Sequence, residues 1–316
     1  MNKIVLSFVL LFSTVNTFCQ DIDLKDDAKR STGKNPVMQF SGMRVINQYS
    51  TELIQKGMLE FRVVHNFGDI AGSNGGGRRF FGLDNATDIQ IGFAYGISDK
   101  VNVIASRAKG WGGLNQLWHA GIRWKIAEQY ENDNTHPIAL SFYANTVIST
   151  MEKVDIPGVT LENSFKSFSD RMSHVVQLTA GRKFGKVSVQ LSPTFVRRNL
   201  VLEGDDKNMF ALGAALRIPV KSNFHILIDY IQPFRSQKSK DFFQGDNALR
   251  KYKFYAPLGI GVEIETAGHI FHLNFTNAEA TFENQLIPFT VKSWGRGEFR
   301  WGFNLSRLFS LKKRHH

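Results

Sequence analysis

The sequence predicts an all-β fold: a transmembrane, antiparallel, up-and-down β-barrel of about twelve strands, preceded by an N-terminal periplasmic segment. Three observations predict it. From Met58 onward, apolar and polar residues alternate one by one in short runs, the period of strands with two unlike faces. Long and short connections alternate along the chain, which sorts loops to one rim and turns to the other. The polar face of the runs is mostly Gly, Ala, Ser, Thr, Asn and Gln, which suits a crowded wet interior. A soluble sandwich would instead carry many Lys and Glu on its solvated face.

Composition narrows the remaining classes. The chain has 316 residues, 42% hydrophobic and 21% charged, too apolar and too weakly charged for a disordered protein. After residue 20 no apolar stretch is long enough for a transmembrane helix. A single cysteine excludes a disulfide framework and a Cys-based zinc site. The 27 phenylalanines fit lipid-facing and interfacial positions, where large rings are welcome.

Residues 1–19 have the order of a secretory signal: charged Lys3, an apolar run from Ile4 to Phe12, then small or polar residues up to Cys19. A lipoprotein site wants a small residue before the cysteine and an aliphatic one three before it; here stand Phe18 and Asn16. Residues 20–57, with Asp21, Asp23, Asp26 and Asp27, form the periplasmic segment. Val45 to Lys56 either enters the lumen as a plug or floats beneath it.

The barrel spans 58–309 and a basic tail, 310–316, follows. Its runs lie near 58–68, 88–97, 100–108, 115–126, 137–148, 171–184, 186–198, 207–219, 223–233, 254–265, 269–277 and 296–308. In the second run, Ile89, Ile91, Phe93, Tyr95 and Ile97 oppose Gln90, Gly92, Ala94 and Gly96. The seventh sets Val187, Val189, Leu191, Pro193 and Phe195 against Ser188, Gln190, Ser192 and Thr194. The last sets Phe299, Trp301, Phe303 and Leu305 against Arg300, Gly302, Asn304 and Ser306. Connections after runs 2, 6, 8 and 10 are tight, whereas those after 1, 5, 9 and 11 are long. Rings gather at the run ends, as at Phe80-Phe81, Trp111, Phe184 and Trp294, where interfacial girdles belong.

The stretch Leu59-Glu60-Phe61-Arg62-Val63-Val64-His65-Asn66-Phe67-Gly68, the pair Phe81-Gly82-Leu83-Asp84 and Ile91–Ile97, and the closing Gly302–Phe309 resemble an outer-membrane β-barrel family of Bacteroidota catalogued only as a domain of unknown function. The resemblance covers nearly the whole mature chain and implies fold and location without an activity. It implies a first strand ending His-Arg-Phe-Gly; this chain has Asn66 in the Arg position.

Parity turns a set of charges inward: Glu60, Asp229, Glu263 and Glu265 against Arg62, Arg123, Lys125, Lys183, Arg217 and Arg300, with His119, His225 and His272 beside them. Two readings stand. The charges pair with each other and narrow or close the lumen, or Arg123, Lys125, Arg217 and Arg300 draw small, anionic solutes through a narrow channel. A rim hydrolase is a third reading, with His65, Asp69, Asp84 and Asp88 across one hairpin mouth and the His as general base; Asp at such places is ordinarily a turn former. The glycine run at 72–77 lacks the Lys-Ser/Thr of a phosphate loop, and His269 and His272 point to opposite faces, against a shared metal. No cofactor is expected. The expected partners are outer-membrane lipids, the barrel-assembly machinery during insertion and an unknown small solute. Nucleic acid is not expected, since the net charge of +11 is not gathered into a basic helix or stripe.

Overall fold

The structure, a computed structural model, describes residues 35–244 and 252–311. The expected signal sequence over 1–19, Cys19, Asp21–Asp27 and the tail Lys312–Arg314 lie outside the described residues. Twelve strands close into one barrel, each pairing antiparallel with its chain neighbours and β1 closing on β12. They are β1 Met58–Asp69, β2 Ala86–Ser98, β3 Val101–Trp111, β4 Leu114–Ala127, β5 Ala139–Ser149, β6 Met172–Phe184, β7 Val187–Arg198, β8 Asn208–Lys221, β9 Phe224–Phe234, β10 Leu258–Thr266, β11 His269–Thr276 and β12 Arg300–Ser310.

The strands form where the alternation is strict. Along β2, Gln90, Gly92, Ala94 and Gly96 are buried while Ile91, Phe93, Tyr95 and Ile97 stand exposed on the outer wall. The same outer wall carries Trp118, Ile122, Trp124, Phe210, Leu212 and Leu273, an apolar surface made for lipid. Two boundaries come later than the alternation suggests. β10 starts at Leu258 and not near 254, because Pro257 has no N–H to donate to a ladder. β12 starts at Arg300 and not near 296, because Trp294–Arg296 makes a 3-10 turn that ends on Gly297 with φ 72, a left-handed conformation favoured by glycine.

Connections sort to two ends with two departures. The β3–β4 hairpin turns tightly through 112–113 at the loop end, and the β4–β5 link through 128–138 is the longest at the turn end.

Two segments fill the barrel. From the turn end, the residues before β1 run upward and fold back as a hairpin, Arg44 bridging to Tyr49, with Val45 N–H donating to Gln48 O (2.9 Å) and Ser50 N–H to Met43 O (2.8 Å). From the loop end, the β11–β12 connection descends as a plug holding the short helix Glu283–Leu286. The hairpin is therefore a lumen plug. Its Phe40, Val45 and Ile46 pack on Ala215 and Leu227, and its Met43, Tyr49 and Ile54 on Ala94, Ile104 and Tyr143. The loop plug packs Ala278, Ala280, Leu286 and Ile287 against inward Val175, Val196, Met209, Ala211 and Ile231. Each large apolar side chain so buried stabilises its docking by roughly 1.5–3 kcal/mol before ordering costs.

Small lumen residues make room for this. A Cβ at Gly181 would fall 2.2 Å from Gln39 Oε1, and one at Gly213 would fall 2.4 Å from Gln48 Oε1. Side-chain amides on the wall then satisfy the hairpin backbone. Asn102 accepts from Ile54 N–H and donates to Ile54 O, both at 2.9 Å, in the manner of one rung of a sheet.

Candidate functional site

The chemistry of the interior is divided among three charged layers, set at different heights by strand register. At the turn end, β8, β9 and β10 bring Arg217, His225, Glu263 and Glu265 together, with His272 from β11. Arg217 Nε donates to Glu263 Oε1 at 2.8 Å and its Nη2 to Glu265 Oε1 at 2.5 Å. His272 Nε2 lies 3.0 Å from Glu263 Oε2. Ser41 of the hairpin donates to Glu263 Oε1 at 2.6 Å and also contacts Glu265, so this cluster latches the hairpin. The donor atoms of His225, Glu263 and Glu265 lie within 4.8 Å of one another, a spacing that suits a metal ion. The Arg217 guanidinium already supplies positive charge there, and a cation would have to displace it.

In the middle layer the wall grips the hairpin backbone. Arg123 donates to Ser50 O and, at 2.5 Å, to Glu52 O. Asp229 accepts from Ile46 N–H (3.1 Å), Asn47 N–H (2.6 Å) and the Asn47 amide (2.7 Å), so the carboxylate caps the turn. Lys125 reaches Glu52 at 3.6 Å and Glu128 at 3.4 Å. Glu60 and Arg62 pair with each other at 2.5 Å. His119 lies between Ser106 Oγ (2.9 Å) and Tyr143 OH (2.8 Å) and stacks on Phe282 of the loop plug. Lys183, half-buried near the turn end of β6 and level with Arg217 across Ser188, belongs with the turn-end cluster and completes the inward set. The two plugs touch here: Arg44 Nη2 donates to Thr281 O at 2.6 Å and Nη1 lies 3.9 Å from Glu283 Oε1. Burial pushes the Glu283 carboxyl up, and Arg44 pulls it partly back.

At the loop end, Asp88 accepts from Gly110 N–H, Thr281 N–H and Thr281 Oγ1, each at 2.8 Å, and ties the loop plug to β2. Arg300 donates to Asp69 Oδ1 at 2.6 Å and lies 3.7 Å from Glu279; Lys292 lies 3.0 Å from Asp69 Oδ2. Burial pushes Glu279 up to about 7, against the pull of Arg300 and Lys292. Asn66 points inward and donates to Ala278 O at 3.3 Å.

The inward set therefore divides its charge between internal pairs and the plugs. Of the four cations expected to draw anions, Arg217 and Arg300 are held by carboxylates, Lys125 sits between two of them, and Arg123 is spent on backbone carbonyls. The rim constellation does not assemble. His65 lies on the outward face of β1, edge-on to Phe67 (4.3 Å between centroids) and beside Phe303, whereas Asp69 and Asp88 are buried inside and Asp84 is exposed on the loop. A general base on one side of the wall cannot serve carboxylates on the other. Asp69 reaches the inside only because the register shifts between Asn66 and Asp69. The plug residues Ser41, Arg44, Thr281 and Glu283 were not among the expected site residues; apolar Phe282, Leu286, Ile287 and Phe289 within the long β11–β12 connection are the signal for the loop plug.

A closed antiparallel barrel of this build, apolar outside and polar within, is a membrane-bound β-barrel whose interior is plugged. Residues 40–309 match the membrane-bound beta barrel domain DUF5777, and the chain belongs to that family, whose function is unknown. No curated protein matches the chain. Among solved structures it is similar to the COG4313 outer membrane channel of Pseudomonas putida F1, at 11% identity and a TM-score of 0.44 over 82% of this chain and 98% of that one. It is also similar to Omp33 of Acinetobacter baumannii (9% identity, TM-score 0.36, 80% and 99% covered) and to LpxR of Salmonella typhimurium (10%, 0.35, 80% and 99%). At such identities the likeness is one of fold alone.

Proposed function

We propose that this chain is a bacterial outer-membrane barrel, closed at rest, in which the N-terminal hairpin is the movable gate of a narrow path for small anionic solutes. Contact with outer-membrane lipids through the apolar belt, and insertion by the barrel-assembly machinery, belong to the same proposal. The carrying observation is how the hairpin is held. It runs from a backbone pairing with the β4–β5 link, Val37 N–H donating to Gln129 O at 2.8 Å, to the start of β1, and much of its grip is polar: Ser41, Arg44, Asn47 and the carbonyls of Tyr49, Ser50 and Glu52 all bond to side chains or backbone of the barrel and the loop plug. Withdrawing it toward the turn end frees Arg123 and releases Lys125 from Glu52, two cations on the same inward face of β4, which favours anions in the vacated half. Both plugs pack apolar side chains on the wall, but the loop plug runs between β11 and β12 and is joined to a strand at each end.

The test is planar-bilayer conductance with Gly213→Leu, whose side chain would occupy the space of Gln48 and push the hairpin out. Current steps with a reversal potential favouring anions support the reading. A folded Gly213→Leu barrel with no steps defeats it. The apolar anchoring of the loop plug favours a second reading, a surface-interaction barrel whose lumen never opens, and that silent result is its expectation.

A further inference from the structure

On the outer wall, toward the loop end, a groove runs along β3, away from both plugs and from the charged layers. Strand register makes it. Ala105 stands between Phe93 of β2 and Ala120 of β4, and two residues nearer the loop end Arg107 stands between Ile91 and Trp118. These side chains point away from the lumen, since the alternate residues Ala94, Ser106 and His119 are the buried ones. Small Ala105 and Ala120 leave a hollow beside Phe93 and below Trp118, about 560 Å³ in volume and lined further by Ile89 and Ile91. From Ala105 to Lys109 it runs four residues, about 13 Å.

Two cations enter this apolar hollow. Arg107 does not climb to the rim: its Nη1 donates to Ala108 O at 3.2 Å, and its guanidinium lies over the Trp118 ring, 5.3 Å from the centroid. Lys109 Nζ donates to Ala86 O (2.9 Å) and Thr87 O (3.2 Å) where β2 begins. Carbonyls and a ring hold these groups without neutralising them, and neither cation is in an ion pair among the described residues. A cation on a lipid-facing wall costs more the deeper it lies, and an anionic headgroup offsets that cost. An apolar trough with two uncompensated cations toward one end complements a lipid whose chain lies along the trough and whose phosphate oxygens accept from the cations.

We propose that this groove binds an acyl lipid with a phosphate headgroup, drawn from the leaflet at the loop end, with its chain along Ala105 and its phosphate between Arg107 and Lys109. The site rests on the outer-membrane placement put forward above and not on the gate, so a barrel that never conducts still holds the lipid.

The experiment is native mass spectrometry of the full chain in a neutral detergent, titrated in turn with dimyristoyl phosphatidic acid and dimyristoyl phosphatidylcholine, which share their chains and differ in headgroup. The expected result is retention of phosphatidic acid at a concentration lower by about fivefold or more than phosphatidylcholine requires. Arg107→Gln combined with Lys109→Gln should erase that difference. Ala105→Trp should fill the groove and weaken retention of phosphatidic acid by about fivefold or more. Arg182→Gln, which removes an outward cation lying over Phe184 at the turn end, should leave it unchanged. A large excess of inorganic phosphate should not displace the lipid. Heat-modifiable gel mobility checks that each variant is a folded barrel. No preference for phosphatidic acid, a preference that survives the folded double variant, unchanged retention by folded Ala105→Trp, or displacement by inorganic phosphate overturns the proposal. Should a variant fail to fold, crosslinking of the unaltered chain with a phosphatidic acid carrying a diazirine in its chain decides: label is expected within 89–93 and 105–118, and label elsewhere contradicts the site. A heat-modifiable barrel without a lipid preference ends this proposal alone, whereas an unaltered chain without heat-modifiable mobility ends the outer-membrane reading as well.

Discussion

Arg44 of the N-terminal hairpin and Glu283 of the β11–β12 loop meet inside the barrel, their charged groups 3.9 Å apart, with the Arg44 guanidinium also bonded to Thr281 O at 2.6 Å. One plug enters from the turn end and the other from the loop end, so this contact is where the lumen is closed. Removing one member strands the other in a poorly solvated place.

Arg44→Met is therefore expected to loosen both plugs, by up to about 3 kcal/mol of docking free energy. Pairing it with Glu283→Met removes the stranded carboxyl and should recover most of the loss. Hydrogen exchange of peptides covering 39–54 and 277–290 reads both effects. Equal protection in the unaltered chain and Arg44→Met would show that the contact contributes nothing.

A pH dependence follows from Glu279. Its carboxyl is raised from 4.5 to about 7 by burial, so the folded state favours the protonated form. A raised acid contributes stability that is full below its unfolded value and is lost as pH rises through the folded value. The loop plug should thus be tightest near pH 4.5 and loosen by about 3 kcal/mol across the window up to about 7. Glu279→Gln should flatten the protection factors of residues 277–290 over that window, taken against the intrinsic exchange rate at each pH; an unchanged slope would contradict the assignment to Glu279.

Gly181 and Gly213 are the close-approach points of the hairpin, where an added Cβ meets Gln39 and Gln48. Gly181→Val should leave heat-modifiable mobility intact while raising exchange in 39–54 by tenfold or more, corresponding to about 1.4 kcal/mol. A matched substitution on the outer wall, Leu212→Val, should move neither. If both variants behave alike, the hairpin is not seated against Gly181.

Much of this was legible in the chain. Period-two alternation gives strand positions and faces together, because a side chain on a β-strand has only two directions. The inward set from Glu60 to Arg300 was found that way, and strict alternation from Glu60 and Arg62 already puts His65 outside, where it packs on Phe67. Alternation fails where it is interrupted. The irregularity before Asp69 turns that residue inside, and Gly110 turns Trp111 inside, and neither is marked by composition. The plugs were the least legible part. Arg44 and Thr281 are 237 positions apart, and Asp88 and Thr281 are 193 apart, so their pairing depends on barrel closure that no local pattern encodes.

Two docked segments close the lumen, and planar-bilayer recording of the unaltered full chain at neutral pH and low voltage reads that closure. A flat baseline is expected from correctly folded, heat-modifiable protein. Steady, long-lived current steps from that same protein would contradict it.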